Sequence, residues 1–258
     1  MKLKRNQKGL SLIEVLISLS ITITITGLLT NFLFNFNNQQ IVSTKKSELN
    51  SELRNVNLRL QKEIESCSKL IGVNISGKDT RYQAPAEYLN KAPFTPNTSG
   101  KLDSNSDRVV LTRPILNKTT YEKASQIPSD TNKNDVIIIE FVRNNSSIGQ
   151  GKLLFSLIPA TSGGSGVDYN IFARSPKIIK QVLSSNISTS MSDDSYSATK
   201  PFRFFSDSDN DLDSPTPNVE DKSKTELLEV NLYGKKEHPT RTIRELLSTK
   251  ITLRNYVN

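Results

Sequence analysis

The chain has 258 residues, 35% of them hydrophobic, enough for one membrane anchor and one globular domain of about 180 residues. Its formal net charge of +8 falls to +4 once the four basic side chains ahead of the first apolar run, Lys2, Lys4, Arg5 and Lys8, are set aside (8 − 4). That is too mild and dispersed a charge to imply nucleic acid as a partner. A single cysteine, Cys67, excludes an intrachain disulfide, and a single histidine, His238, excludes a multi-histidine metal site.

The first predicted element is apolar and long. The 27 residues from Leu10 to Phe36 are dominated by Leu, Ile, Val and Phe, and no charged side chain occurs between Val15 and Thr44. A bilayer core takes about 20 such residues as helix, and the basic residues in front of the run keep the N-terminus cytoplasmic and place the remainder outside. A secretory signal is the alternative, with Ser18 and Ser20 loosely mimicking a cleavage site, but its apolar region spans only about 7 to 15 residues. Glu14 is the anomaly. An unpaired carboxylate in hydrocarbon costs at least about 2 to 3 kcal/mol, so an acid there marks a function and a partner. No basic side chain is within reach on its C-terminal side. If the chain were cut after Gly9, Leu10 would carry an ammonium four residues, about 6 Å of helix rise, from Glu14, and a neighbouring copy could offer that ammonium to this acid.

Beyond Phe36 the pattern becomes amphipathic. Leu49, Leu53, Val56, Leu60, Ile64 and Cys67 recur at spacings of three and four, which predicts a continuation of the same helix, ending near Gly72 as a C-cap. One helix of about 60 residues, roughly 90 Å, results. Within it "ITITIT", Ile21 to Thr26, alternates like a strand and is followed by Gly27. The membrane forbids an unpaired strand, so this stretch reads as a soft spot in a helix. Cys67 is expected to be a packed thiol on the buried face.

The remainder, 73–258, reads as a strand-rich head. Residues 74–107 hold Pro, Gly, Ser and Asn with little periodicity and predict an ordered loop or insertion. Strands are predicted at 108–116, 135–144, 151–159, 202–205, 225–234 and 249–255, with "NNSSIGQ" joining the second and third as a hairpin. "PKIIKQVL" suits a short helix or strand, and "SSNISTSMSDDSYSATK" a mobile connection. His238 falls in the turn-like "GKKEHPT" and is expected in a solvated loop. The sheet needs a cover and the amphipathic helix supplies one. The fold class is therefore α+β: a long N-terminal transmembrane and amphipathic helix packed on an antiparallel β-sheet head.

Three motifs invite a reading as sites. "GVNISGKD", Gly72 to Asp79, nearly spells a phosphate-binding loop, but Asp79 replaces the magnesium-holding Ser or Thr and a helix rather than a strand precedes it. "SGGSG" at 162–166 lacks the strand and helix that would make it a phosphate cradle. "DSDNDLD" alternates Asp207, Asp209, Asp211 and Asp213 as oxygen ligands would around calcium, the one cofactor the sequence suggests. The sixth and twelfth positions of an EF-hand are Leu212 and Asn218 here, so a solvated turn is the alternative. No Ser, His and acid arrangement has independent support, and no catalytic residue is assigned.

The N-terminal residues carry a resemblance. A basic leader, Gly9, Leu10, Ser11-Leu12-Ile13, Glu14 at the fifth position after the Gly, then Val15-Leu16-Ile17-Ser18 resemble the class III signal of type IV pilins and pseudopilins. The resemblance implies a leader at 1–9, a transmembrane segment at 10–36 and an amphipathic continuation at 37–72. It implies cleavage between Gly9 and Leu10 by prepilin peptidase, N-methylation of Leu10, and pairing of Glu14 with the N-terminal amine of an adjacent subunit. The partners it implies are that peptidase, other pilin or pseudopilin subunits, an inner-membrane assembly platform, and lipid before assembly, with no nucleic acid. Leu10 departs from the Phe usual in major pilins. "LRLQKEI", "FRFFSDSDND" and "TKITLRN" are similar to the larger minor pseudopilins, the J-type of type II secretion, and to W-type minor pilins. The rivals are a membrane-anchored extracellular binding or adhesion protein and an anchored hydrolase, neither of which needs Gly9 or Glu14.

Overall fold

The computed structural model describes residues 11–67, 69–71, 82–85, 88, 100–113, 134–145, 148–159, 178–188, 200–206, 225–239 and 241–253. Helix α1 runs Leu12–Glu65. Up to Ser47 the helix belongs to one compact unit and from Glu48 onward to a second. In the first, the apolar side chains from Leu12 to Phe36 stand uncovered: Leu12 is 80% exposed and Leu16 54%. The "ITITIT" stretch is helical like its surroundings. Its hydroxyls help, since Thr22 Oγ1 and Thr24 Oγ1 donate to the carbonyls of Ser18 and Ser20 at 2.8 and 2.9 Å, removing polar groups that would otherwise face hydrocarbon.

In the second unit Leu49, Leu53, Val56, Leu60 and Ile64 form the buried stripe that their spacing predicts. The helix ends at Glu65, earlier than the Gly72 expected, and Gly72 itself lies outside the described residues. Polar groups close the helix there: Cys67 N–H bonds back to Ile64 O at 3.0 Å, and Ser66 Oγ donates to Glu63 O at 2.6 Å. The chain then enters the sheet as β1, Lys69–Leu70.

The remaining strands are β2 (Tyr82–Gln83), β3 (Lys101–Leu102), β4 (Arg108–Arg113), β5 (Asp135–Asn145), β6 (Ile148–Ile158), β7 (Ile179–Ser188), β8 (Phe202–Phe205), β9 (Leu227–His238) and β10 (Arg241–Thr252). Eight of them form one sheet in the order β1-β4-β5-β6-β7-β9-β10, with β8 also on β9, and β2 and β3 pair separately. The described pairings are antiparallel, so the α+β expectation of helix on antiparallel sheet holds. The β5–β6 hairpin is present, with Asn145 opposite Ile148. "PKIIKQVL" resolves as strand, and β7 continues through Ser188 into the Ser-rich run expected to be a connection, because that part pairs with Gln150 and Gly151 of β6. His238 is the last residue of β9, opposite Arg241, and is half-buried, with the turn beginning only at Pro239.

Over β4, β5 and β6 the sheet is covered on both faces, not one. On the helix face, Gly234 lets α1 approach closely: a Cβ there would lie 2.7 Å from Leu49 Cδ1. Glu63 bonds Arg113 at 3.0 Å on the same side. On the other face, Ile71, Tyr82, Ala84, Tyr88 and Leu102 pack against Val110, Val136, Ile138, Leu154 and Ile158. The stretch expected to be a loop or insertion thus supplies a second layer. This explains why Val136, Ile137, Ile138 and Ile139 are consecutive and each at most 1% exposed. A strand buried on both sides needs apolar residues at every position, each contributing roughly 1.5 to 3 kcal/mol.

Candidate functional site

The N-terminal turn of α1 holds the one sequence-predicted site residue that the structure describes. Gly9, Leu10, Asp207, Asp209, Asp211 and Asp213 lie outside the described residues, as do Gly72–Asp79 and 162–166. Glu14 is exposed in the first turn. Its Oε2 accepts the backbone N–H of Ser11 at 2.9 Å, while Ser11 Oγ accepts the N–H of Ile13 at 3.3 Å. The N–H groups of Glu14 and Val15 bond back to Ser11 O at 3.0 and 3.2 Å. Ser11 is therefore the N-cap and Glu14 the third helical residue of a capping box, whose side chains satisfy amide groups that the helix leaves without internal partners. The S-x-x-E signature of such a box stands in the sequence, overshadowed there by the charge of the acid in an apolar run. Negative charge at this position also suits the positive end of the helix dipole.

C-terminal to Glu14, the polar side chains of the apolar run serve themselves. Ser18 Oγ donates to Glu14 O at 2.8 Å, Ser20 to Leu16 O at 2.9 Å and Thr30 to Thr26 O at 2.8 Å. Asn35 bonds Asn31 one turn earlier, and the Phe32 and Phe36 rings stack with centroids 6.2 Å apart. The helix is long and apolar enough to cross a membrane, which fits a membrane-anchored chain.

Among its described residues the head offers several polar pairs. Arg108 and Glu140 meet at 2.5 Å with side chains 12% and 7% exposed, beside an open cleft that Asn105, Ser106 and Asp107 also line. Burial pushes the Glu140 carboxyl above its ordinary range against the pull of Arg108. A buried ion pair of this kind gives little net stability and mainly fixes geometry. Glu52 accepts from Ser184 Oγ at 2.6 Å and from Asn186 Nδ2 at 2.9 Å, tying α1 to β7. Cys67 is 1% exposed, and burial pushes its thiol up to about 12, so it packs as a small hydrophobe. Among the described residues no three His, Cys, Asp or Glu side chains are grouped to hold a metal.

No curated protein and no solved structure matches the chain. Residues 4–30 do match a family model, that of the prokaryotic N-terminal methylation motif, and this supports a type IV pilin-like subunit processed by prepilin peptidase.

Proposed function

We propose that the chain is a minor pilin or pseudopilin, a non-enzymatic structural subunit of a type IV pilus or type II secretion-like filament. The match to the N-terminal methylation motif over residues 4–30 is the observation that carries this reading. In it, prepilin peptidase cuts between Gly9 and Leu10, Leu10 is methylated, and the apolar helix holds the head outside the bacterial inner membrane. The assembly platform then extracts the helix into a filament, where Glu14 pairs with the Leu10 ammonium of a neighbouring subunit.

The capping box supports this sequence of events. An ionised carboxylate has about four acceptor directions, and Ser11 uses one of them. Glu14 is thus oriented by its own backbone before a neighbour arrives and retains room for a cation. Mass spectrometry of membrane-extracted protein tests the reading: the mature N-terminus should be methylated Leu10, and Gly9→Ala or a larger residue should leave the precursor intact. A mature chain that starts beyond Ser20 would point to an ordinary secretory signal instead.

A further inference from the structure

Two side-chain amides stand in the apolar run. Asn31 and Asn35 lie one turn apart on α1, both exposed, and Asn35 Nδ2 donates to Asn31 Oδ1 at 3.3 Å. Among the described residues these two side chains make no other hydrogen bond. An amide offers two N–H donors and an oxygen with two acceptor positions. Asn31 therefore keeps both donors and one acceptor position, and Asn35 keeps one donor and its oxygen.

Depth decides whether water can serve them. A charged Glu14 is held at the boundary of the hydrocarbon, where it costs least. Asn31 stands 17 residues further on (31 − 14), about 26 Å of helix rise, inside a core about 30 Å thick. Phe32, Leu33, Phe34 and Phe36 follow it, so apolar side chains flank it on the outer side too. Amide groups without partners at that depth cost free energy, and a second helix can satisfy them.

The same face has room for one. Gly27, one turn before Asn31, has nothing within 4 Å of the place its Cβ would occupy, which lets another backbone approach closely. Phe32 and Phe36, about 100° further round the helix, occupy each other in a stack. An amide is its own complement, carrying donor and acceptor together. Copies inserted in the same orientation carry Asn31 at the same depth, whereas a different helix would need a polar group of its own at that level.

We propose that Asn31 and Asn35 pair two copies of this chain in the membrane, by amide-to-amide hydrogen bonds between parallel helices that approach most closely at Gly27. Paired asparagines in an apolar seam fix register and favour two strands. The proposal goes beyond the filament reading and needs only the membrane span, since a chain left uncut at Gly9 carries the same amides.

Its test uses the full-length chain with Cys67→Ser, in membranes of cells that produce no other pilin-type subunit, with the head shown to be accessible from outside. Asn38→Cys places a thiol seven residues from Asn31 on the same face and should join two copies on oxidation. Gln40→Cys places it on the opposite face and should not. In the Asn38→Cys chain, Asn31→Leu with Asn35→Leu keeps the span apolar and should cut the dimer about tenfold. Asn31→Gln with Asn35→Gln should restore it. If Cys67→Ser does not fold, a benzophenone amino acid at Asn38 reads the same contact with Cys67 in place. The proposal is overturned by the absence of a dimer, by one that survives the leucines or forms equally from Gln40→Cys, or by an adduct to a different protein.

Discussion

Leu16 and Leu60 occupy the same helix, yet Leu16 is 54% exposed and Leu60 is fully buried. Around Leu16 the apolar residues surround the helix, with Leu12, Ile13, Val15 and Ile17 each at least half exposed. Around Leu60 the buried apolar residues keep to one stripe, and Arg, Lys, Glu, Asn and a single exposed leucine, Leu58, fill the rest. A helix apolar all round is one whose solvent is lipid or other helices, whereas a striped helix has chosen a single partner. One secondary structure therefore serves two environments, and the pattern of side chains declares which. The contrast also teaches where each unit is vulnerable. The head depends on shape, because its core is close-packed. On the proposed reading, the anchor depends on where Glu14 sits.

The largest expected effect separates the two. Glu14→Gln retains a side-chain oxygen for the Ser11 amide, since Gln also serves in a capping box, so insertion, cleavage and head stability should be unchanged. The charge is gone, and stranding the Leu10 ammonium of a neighbour costs about 3 to 5 kcal/mol. Co-assembly, read by crosslinking to partner pilins, should fail. Normal assembly of this variant would show that the acid matters only as a cap.

A matched pair sharpens the comparison next. Leu60→Ala should destabilise the head by about 2 to 5 kcal/mol, while Leu16→Ala should leave its unfolding in detergent where it was. Equal losses would mean that the anchor supports the head's fold.

Gly151→Ala is a smaller insult at a tighter place. Its Cβ would collide with the Val142 carbonyl oxygen and lie 2.6 Å from Phe141 Cζ, beside a register shift between β6 and β7. Overpacking of this kind costs about 1 to 3 kcal/mol. Gly27→Ala, with nothing near its added methyl, should cost nothing in the same denaturation assay.

The smallest effect is a pH slope. The Glu140 carboxyl is raised in the folded head by burial, so the folded state holds a proton that the unfolded state has released. From the ordinary glutamate range upward to the raised value, the unfolded state binds fewer protons, and the Glu140 contribution to stability falls as pH rises. Stability measured across that window should decline, and Glu140→Gln should flatten the decline. A slope unchanged by the substitution would assign it to other groups.

The sequence is most legible where a single rule governs a long run. The apolar segment and the stripe from Leu49 to Ile64 follow helical periodicity, and β4, β5, β6, β8 and β9 are β-branched or aromatic runs with clear punctuation. The first half of β10 is hidden because Arg244 and Glu245 break the alternation, and an edge strand with one neighbour tolerates such residues. The second cover of the sheet is hidden for a different reason: Tyr82, Tyr88 and Leu102 are scattered over twenty-odd positions with no period, and only their packing in space makes them a layer. A trace of that layer is visible in Val136 to Ile139, since a strand with one wet face would have alternated. At the N-terminus, Gly9, Leu10 and Glu14 are legible as a spaced signal, while the bond from Ser11 to Glu14 emerges only in the folded turn.

The hydroxyls of Ser18, Ser20, Thr22, Thr24 and Thr30 each donate to the carbonyl one turn back. On the proposed reading the helix leaves a bilayer and lodges among other proteins, and so trades one surrounding for another. A side chain that relied on water or on a neighbour would lose its partner at that exchange. These five carry their acceptors with them, so the transfer breaks none of their bonds and the anchor meets either medium as the same apolar rod.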